Sequence, residues 1–116
     1  MNSLTLAYIG DAVYELYIRE YLINKKIVKV NDLQKESIKY VSATNQSNIL
    51  HDLLDKNFFN EKELDIIKRA RNHKGNRHPK NTDIITYKHA TAFEAIIGYL
   101  YLNDKERLNE LMKVVL

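Results

Sequence analysis

Residues 6–15 read LAYIGDAVYE, residues 91–98 read TAFEAIIG, and these two segments set the expected architecture of the chain. Each is predicted to be helical, and each carries one acid, Asp11 or Glu94, where an amphipathic helix is normally apolar. Desolvating a charged, unpaired carboxylate costs roughly a few kcal/mol. Two such groups brought together also repel each other. A divalent cation bound between them removes both costs, so the pair is a candidate metal site.

Composition indicates a folded domain rather than a disordered or disulfide-stabilised chain. The 116 residues are 45% hydrophobic and include three Gly, one Pro and no Cys. The absence of cysteine excludes disulfides, thiolate metal sites and thiol nucleophiles. We find no signal sequence and no apolar run near the roughly 18 residues of a membrane span. A single domain over residues 1–116 is expected, soluble and cytoplasmic, without a membrane partner.

The charge of the chain is unevenly distributed. Residues 66–82 contain six basic side chains and no acid, so this segment is +6 within a total of +3. A basic block on an otherwise acidic body suggests a polyanionic partner, although a solvated loop explains the charge equally well. The basic residues are Lys68, Arg69, Arg71, Lys74, Arg77 and Lys80.

Every periodic segment has helical spacing and none alternates with period two, which predicts an all-α fold. Asn31 with Gln34, and Asn60 with Glu63, have the spacing of capping boxes. The fifth helix is apolar on most sides in its second half and is expected at the centre of the bundle. The predicted helices run from Asn2 or Ser3 to about Ile23, from Asn31 to Val41, onward from the Ser42 cap, from the Asn60 cap towards Asn72, from Asp83 to Leu102, and onward from the Asp104 cap.

The first helix contains a glycine, Gly10, which costs up to about 1 kcal/mol relative to alanine in a helix interior. Such a glycine often marks the close approach of another backbone. The side chains expected on the buried side of this helix are Leu4, Ala7, Tyr8, Ala12, Leu16 and Tyr17.

Structural explanations exist for each acid taken alone. Asp11 is also explained as a helix-edge acid that bonds a tyrosine or a helix start, and Glu94 as a glutamate held by an arginine. Glu63 is expected to be an ordinary acid in the first turn of a helix. The histidines lack zinc-site spacing, and His51 and His89 are expected to be isolated.

Three motifs resemble those of a known family. Residues 9–13 (IGDAV) resemble the signature helix of the ribonuclease III catalytic domain, and residues 91–95 (TAFEA) resemble its second acidic helix. With residues 79–83 (PKNTD) between them, the order and spacing are similar to the Mini-ribonuclease III branch over nearly the whole chain. Ala7, Leu4 and Thr91 stand where larger members of the family have further acids. We also expect the double-stranded-RNA-binding domain of those larger enzymes to be absent, so that the nuclease domain itself binds the substrate.

The resemblance implies a homodimeric ribonuclease III endonuclease-domain helical bundle that cleaves double-stranded RNA with Mg²⁺. The products carry 5′-phosphate and 3′-hydroxyl ends, and Asp11 and Glu94 are the implied catalytic residues and metal ligands. The implied substrate is the precursor of 23S ribosomal RNA, with possible assistance from a ribosomal protein. The residues expected to contact RNA are Arg71, Asn72, Lys74, Arg77, His78 and Lys80.

Two other functions stay open at the level of sequence. One is a non-catalytic ribonuclease III-like protein that binds double-stranded RNA and associates with ribosomes. The presence of both carboxylates favours the enzyme over this alternative. The other is a helical scaffold whose basic loop binds an acidic protein, which only the charge supports.

Overall fold

The computed structural model describes residues 1–27, 29–73 and 83–116. Those ranges contain helices and no strand, which confirms the all-α prediction. The helices are α1 (Ser3–Asn24), α2 (Val30–Val41), α3 (Ala43–Asp55), α4 (Glu61–Arg71), α5 (Ile84–Asn103) and α6 (Lys105–Val115).

Most helix starts follow from side chains that accept a backbone N–H left free in the first turn. Asn2 accepts from Thr5, and Ser42, Asp83 and Asp104 cap their helices in the same way. At α4 both hydrogen bonds of the predicted capping box are present.

The capping box predicted for α2 is wrong. Lys29 is the N-cap residue, Val30 is the first helical residue, and no side chain caps this helix. Asn31 and Gln34 therefore lie inside α2 rather than at its boundary.

Helix α5 is the central element, as its sequence predicts. From Ala90 to Gly98 every residue is buried except Glu94, and Leu100 is buried as well. α1, α3, α4 and α6 all pack against it. At the contact with α1, the Tyr14 and Phe93 rings meet edge to face with centroids 5.0 Å apart. Because the neighbouring residues of α5 are buried, the backbone that carries Glu94 is held within the core.

The predicted buried face of α1 is largely wrong. Tyr8 is 83% exposed and Leu16 is 57% exposed, and Leu4 and Ala12 also face outward. Of the predicted set, Ala7 is buried and Tyr17 is partly buried. The other buried side chains are Leu6, Val13, Tyr14, Ile18 and Leu22. α1 is apolar around much of its circumference, so periodicity alone does not select the face that meets α5.

A buried ion pair joins α6 to the start of α4. Glu63 is 3% exposed, and both of its carboxylate oxygens accept hydrogen bonds of 2.9 Å from Arg107. The same guanidinium donates to the carbonyl of Phe58 at 2.7 Å and lies over its ring. Glu63 therefore lies in the first turn of α4, as predicted, and also forms a buried ion pair that the sequence did not predict.

No helix in the described part of the chain combines the length and the apolar character needed to cross a bilayer.

Candidate active site

Two glycines set the distance between α1 and α5. A Cβ atom added to Gly10 would overlap the backbone carbonyl oxygen of Glu94, and one added to Gly98 would overlap that of Leu6. Four residues back along α1, from Gly10 to Leu6, correspond to four residues forward along α5, from Glu94 to Gly98. The two helices therefore run antiparallel. Backbone atoms meet here because neither glycine has a side chain, which explains the cost accepted at Gly10.

This close crossing brings the side chains of Asp11 and Glu94 together. Asp11 follows Gly10 on the solvent side of α1 and is exposed, whereas Glu94 is partly buried. The two carboxyl groups lie within hydrogen-bonding distance of each other. The expectation that both acids sit in apolar surroundings therefore holds for Glu94 and is wrong for Asp11.

The neighbours of Glu94 change the pKa of its carboxyl group. The pKa of Glu94 is raised from 4.5 to about 8, first by burial, then by the negative charge of Asp11 and the hydrogen bond with it. The side chain of Gln46 acts the other way, because its hydrogen bond to Glu94 lowers that pKa. Without a cation, a pKa of about 8 thus leaves Glu94 mostly protonated at neutral pH.

The donor set fits a hard divalent cation. Two carboxylates that repel each other, with an amide beside them, offer the oxygen ligands that Mg²⁺ prefers while leaving room for water. In the described ranges no group of three or more His, Cys, Asp or Glu side chains could hold a metal. Any ion at Asp11 and Glu94 is therefore held by two acids at most.

Comparison with known proteins identifies the family. A sequence profile of the ribonuclease III domain matches residues 4–105. The chain belongs to the ribonuclease III family. It is 50% identical to the Mini-ribonuclease 3 of Clostridium tetani, covering all of this chain and 77% of that protein. It is 45% identical to the Mini-ribonuclease 3 of Staphylococcus aureus, covering all of this chain and 87% of that one.

A solved structure agrees with this assignment. The crystal structure of a protein from Fusobacterium nucleatum superposes with a TM-score of 0.88 at 35% identity, covering 99% of this chain and 93% of that one. The fold is thus that of ribonuclease III, in the Mini-ribonuclease III branch. The chain is accordingly an endoribonuclease and a hydrolase. Ribonuclease III enzymes act on double-stranded RNA and generally depend on a divalent metal.

Two of the three positions that carry further acids in larger ribonuclease III enzymes are buried here. Ala7 is buried in the core, and the Thr91 hydroxyl is also buried and donates a 2.9 Å hydrogen bond to the Tyr87 carbonyl within α5. Leu4 is partly exposed on the first turn of α1. None of the three supplies a carboxylate near Glu94.

The structure describes two of the six residues predicted to contact RNA. Arg71 is the last residue of α4, and Asn72 is the exposed C-cap that follows it. Arg71 lies close enough to His89 on α5 for its positive charge to lower the pKa of His89. The other four, Lys74, Arg77, His78 and Lys80, lie outside the described residues.

The prediction that His51 and His89 are isolated is wrong. Their rings, from α3 and α5, meet edge to face with centroids 4.4 Å apart. Burial lowers the pKa of His89, and the neighbouring His51 and Arg71 lower it further. No local pattern announces this pair, because the two residues are far apart in the sequence.

Proposed function

We propose that this chain is a Mg²⁺-dependent endoribonuclease that cleaves double-stranded RNA, with residues 1–116 acting as one catalytic domain. The proposal includes a cytoplasmic role in maturing the ends of the 23S ribosomal RNA precursor. The supporting observation is the meeting of the Asp11 and Glu94 carboxyl groups at the glycine crossing of α1 and α5. A buried acid beside a second acid is unfavourable for the fold alone and favourable for a bound cation.

In this proposal Asp11 and Glu94 are the catalytic residues and the ligands of the ion. They would hold a Mg²⁺ ion, which would supply an activated water for attack on the phosphodiester and positive charge against the departing 3′ oxygen. Asp11 lies within α1 and is exposed to solvent. Glu94 is fixed by the surrounding core of α5 and anchors the pair. The exposed position of Asp11 gives a phosphodiester backbone access to the site.

Residues at the end of α4 and in the segment that follows are proposed to bind RNA. A-form RNA is recognised mainly through its shape, its phosphates and its 2′-hydroxyls. We propose that Arg71 and Asn72 contact RNA phosphates. The proposed set also includes Lys74, Arg77, His78 and Lys80, which lie outside the described residues. Each phosphate contact that is lost reduces the dependence of binding on salt. An unchanged salt slope after Lys74, Arg77 and Lys80 become Ala would remove this segment from the proposal.

We further propose that the chain acts as a homodimer through the outward face of α1. Tyr8 and Leu16 are large, exposed and not covered by α5. A symmetric contact places the same face of two copies against each other and buries these side chains. Sedimentation should therefore show a dimer, and Tyr8→Glu should shift the protein towards monomer. A monomeric wild type at working concentration contradicts this part of the proposal.

The test of the catalytic site is cleavage of duplex RNA by Asp11→Asn and Glu94→Gln. Both changes preserve shape and remove negative charge, so we expect folded proteins that no longer cleave. Asp65→Asn is the matched control, because Asp65 is an exposed helical acid paired with Arg69 at 2.9 Å. Cleavage by wild type should stop with EDTA and return with Mg²⁺. Wild-type rates in the Asp11→Asn protein would show that the assignment is wrong.

The substrate is tested separately from the chemistry. Duplexes built from the paired ends of the 23S ribosomal RNA precursor should be cut at fixed positions, with 5′-phosphate and 3′-hydroxyl products. An unrelated duplex of equal length and base composition is the control. Equal rates and scattered cuts on both would leave the nuclease activity standing and refute the specific substrate. Adding ribosomal proteins to the same reaction tests whether one of them assists.

A further inference from the structure

The packing of α3 against α5 places Gln46 opposite Glu94. Two contacts define the register: Gln46 bonds Glu94, and the His51 ring meets the His89 ring. Moving five residues forward on α3 corresponds to moving five residues back on α5, so the helices run antiparallel. At 1.5 Å per residue, the two contacts lie about 7.5 Å apart along the helix axes. Gln46 is therefore held at the level of Glu94 by a contact more than a turn away.

The burial of Gln46 demands a specific partner. The residue is 2% exposed, although its amide has two donor hydrogens and an acceptor oxygen. Buried amides without partners are costly, so such groups are normally hydrogen-bonded. In the described structure the Gln46 side chain lies close enough to the carboxyl group of Glu94 to lower its pKa by hydrogen bonding. An ionised carboxylate only accepts hydrogen bonds, so the amide N–H of Gln46 must be the donor to a charged Glu94.

This bond restricts an otherwise adjustable side chain. Glutamate has three rotatable side-chain bonds, and its two oxygens can point in several directions. When one oxygen accepts from Gln46, the orientations open to the carboxyl group are fewer and the other oxygen stays available to a cation shared with Asp11. Groups that orient metal ligands in this way commonly change metal affinity by 10- to 100-fold when they are removed.

We infer that Gln46 is a positioning residue that holds the Glu94 carboxylate in the orientation needed to share a divalent cation with Asp11. The inference rests on the metal role proposed above for these two acids. Gln46 supplies this orientation without a third negative charge at the site. Its role differs from that of an ordinary buried polar residue, because its loss should weaken metal binding in a protein that is still folded.

The experiment measures Mn²⁺ binding without RNA, by the loss of the free-ion electron paramagnetic resonance signal. Mn²⁺ accepts the same carboxylate, carbonyl and water ligands as Mg²⁺. Gln46→Met keeps the length of the side chain and removes the donor, and we expect about 10-fold weaker binding. Ser47→Ala is the matched control, since Ser47 is the next residue on α3 and is also buried. Its Mn²⁺ affinity should equal that of wild type.

The outcomes separate this inference from the proposed function. Loss of binding in Glu94→Gln together with unchanged binding in a folded Gln46→Met protein overturns the role of Gln46 alone. Wild type that does not bind Mn²⁺, or a Glu94→Gln protein that binds it normally, overturns the metal site and the inference with it. Should Gln46→Met not fold, Gln46→Asn keeps the amide but withdraws it by about 1.5 Å, and the same weakening is expected. Wild-type affinity in a folded Gln46→Asn protein then overturns the role.

Discussion

Replacing Glu94 by Gln should stabilise the metal-free protein at alkaline pH while removing its activity. The pKa of Glu94 is raised from 4.5 to about 8 in the folded protein, chiefly by burial and then by Asp11. Between these values the folded protein keeps a proton that the unfolded chain has lost. The free energy of unfolding therefore falls as pH rises from about 5 to 8. The contribution of Glu94 is fully present below pH 4.5 and fully lost above pH 8.

The size of this effect follows from the pKa interval. Each unit of difference between the folded and unfolded pKa corresponds to about 1.36 kcal/mol, which gives an upper limit of roughly 5 kcal/mol. Solvent reaches the partly buried carboxyl and screens its interaction with Asp11, so about 2–3 kcal/mol is expected. For a domain of this length that is a difference in Tm of roughly 10 °C. The amide that replaces the carboxyl group in the variant does not titrate, so the Glu94→Gln protein should escape this loss.

Thermal unfolding of the EDTA-treated proteins, followed by circular dichroism from pH 5 to 9, measures the difference. Wild type and Glu94→Gln should melt together near pH 5, and the variant should melt higher at pH 8.5. Mg²⁺ should raise the Tm of wild type at pH 8.5 and leave the variant unchanged, because only an ionised Glu94 favours the ion. Asp65→Asn is the control and should follow wild type. Parallel curves for wild type and Glu94→Gln over the whole range would refute the reasoning.

Three further substitutions test the packing between helices. Gly98→Ala should lower the free energy of unfolding by about 3 kcal/mol in urea titrations, because the new Cβ meets the Leu6 carbonyl and separates α1 from α5. The same separation should weaken Mn²⁺ binding. Unchanged values for both would contradict the close crossing. Glu63→Gln should cost about 3–5 kcal/mol, because Arg107 loses its buried carboxylate partner. Glu110→Gln removes the exposed partner of the same arginine and should cost less than about 1 kcal/mol; equal losses for the two glutamates would refute the distinction.

Local sequence signals were sufficient for the helices and most of their boundaries. A cap such as Ser42 acts on a backbone N–H three residues away, so the information lies within one turn. The apolar second half of α5 likewise predicted the central helix correctly. The motifs around Asp11 and Glu94 identified the family, and their catalytic roles stay predictions.

The structure decided what no local pattern contains. Gln46 and Glu63 were not selected as unusual, because their partners Glu94 and Arg107 lie more than forty residues further along the chain. Burial depends on which elements meet in three dimensions, and helical spacing describes one helix only.

The buried face of α1 shows most clearly what the sequence determined and what the tertiary structure decided. Its composition predicts a helix with apolar side chains in several directions, and it contains no signal that ranks those directions. The choice is made by the crossing with α5, where Gly10 and Gly98 allow the backbones to meet and turn Tyr8 outward. The helix itself was thus predictable from short-range hydrogen bonding and periodicity. The pairing of Asp11 with Glu94 depended on close packing between segments that are more than eighty residues apart.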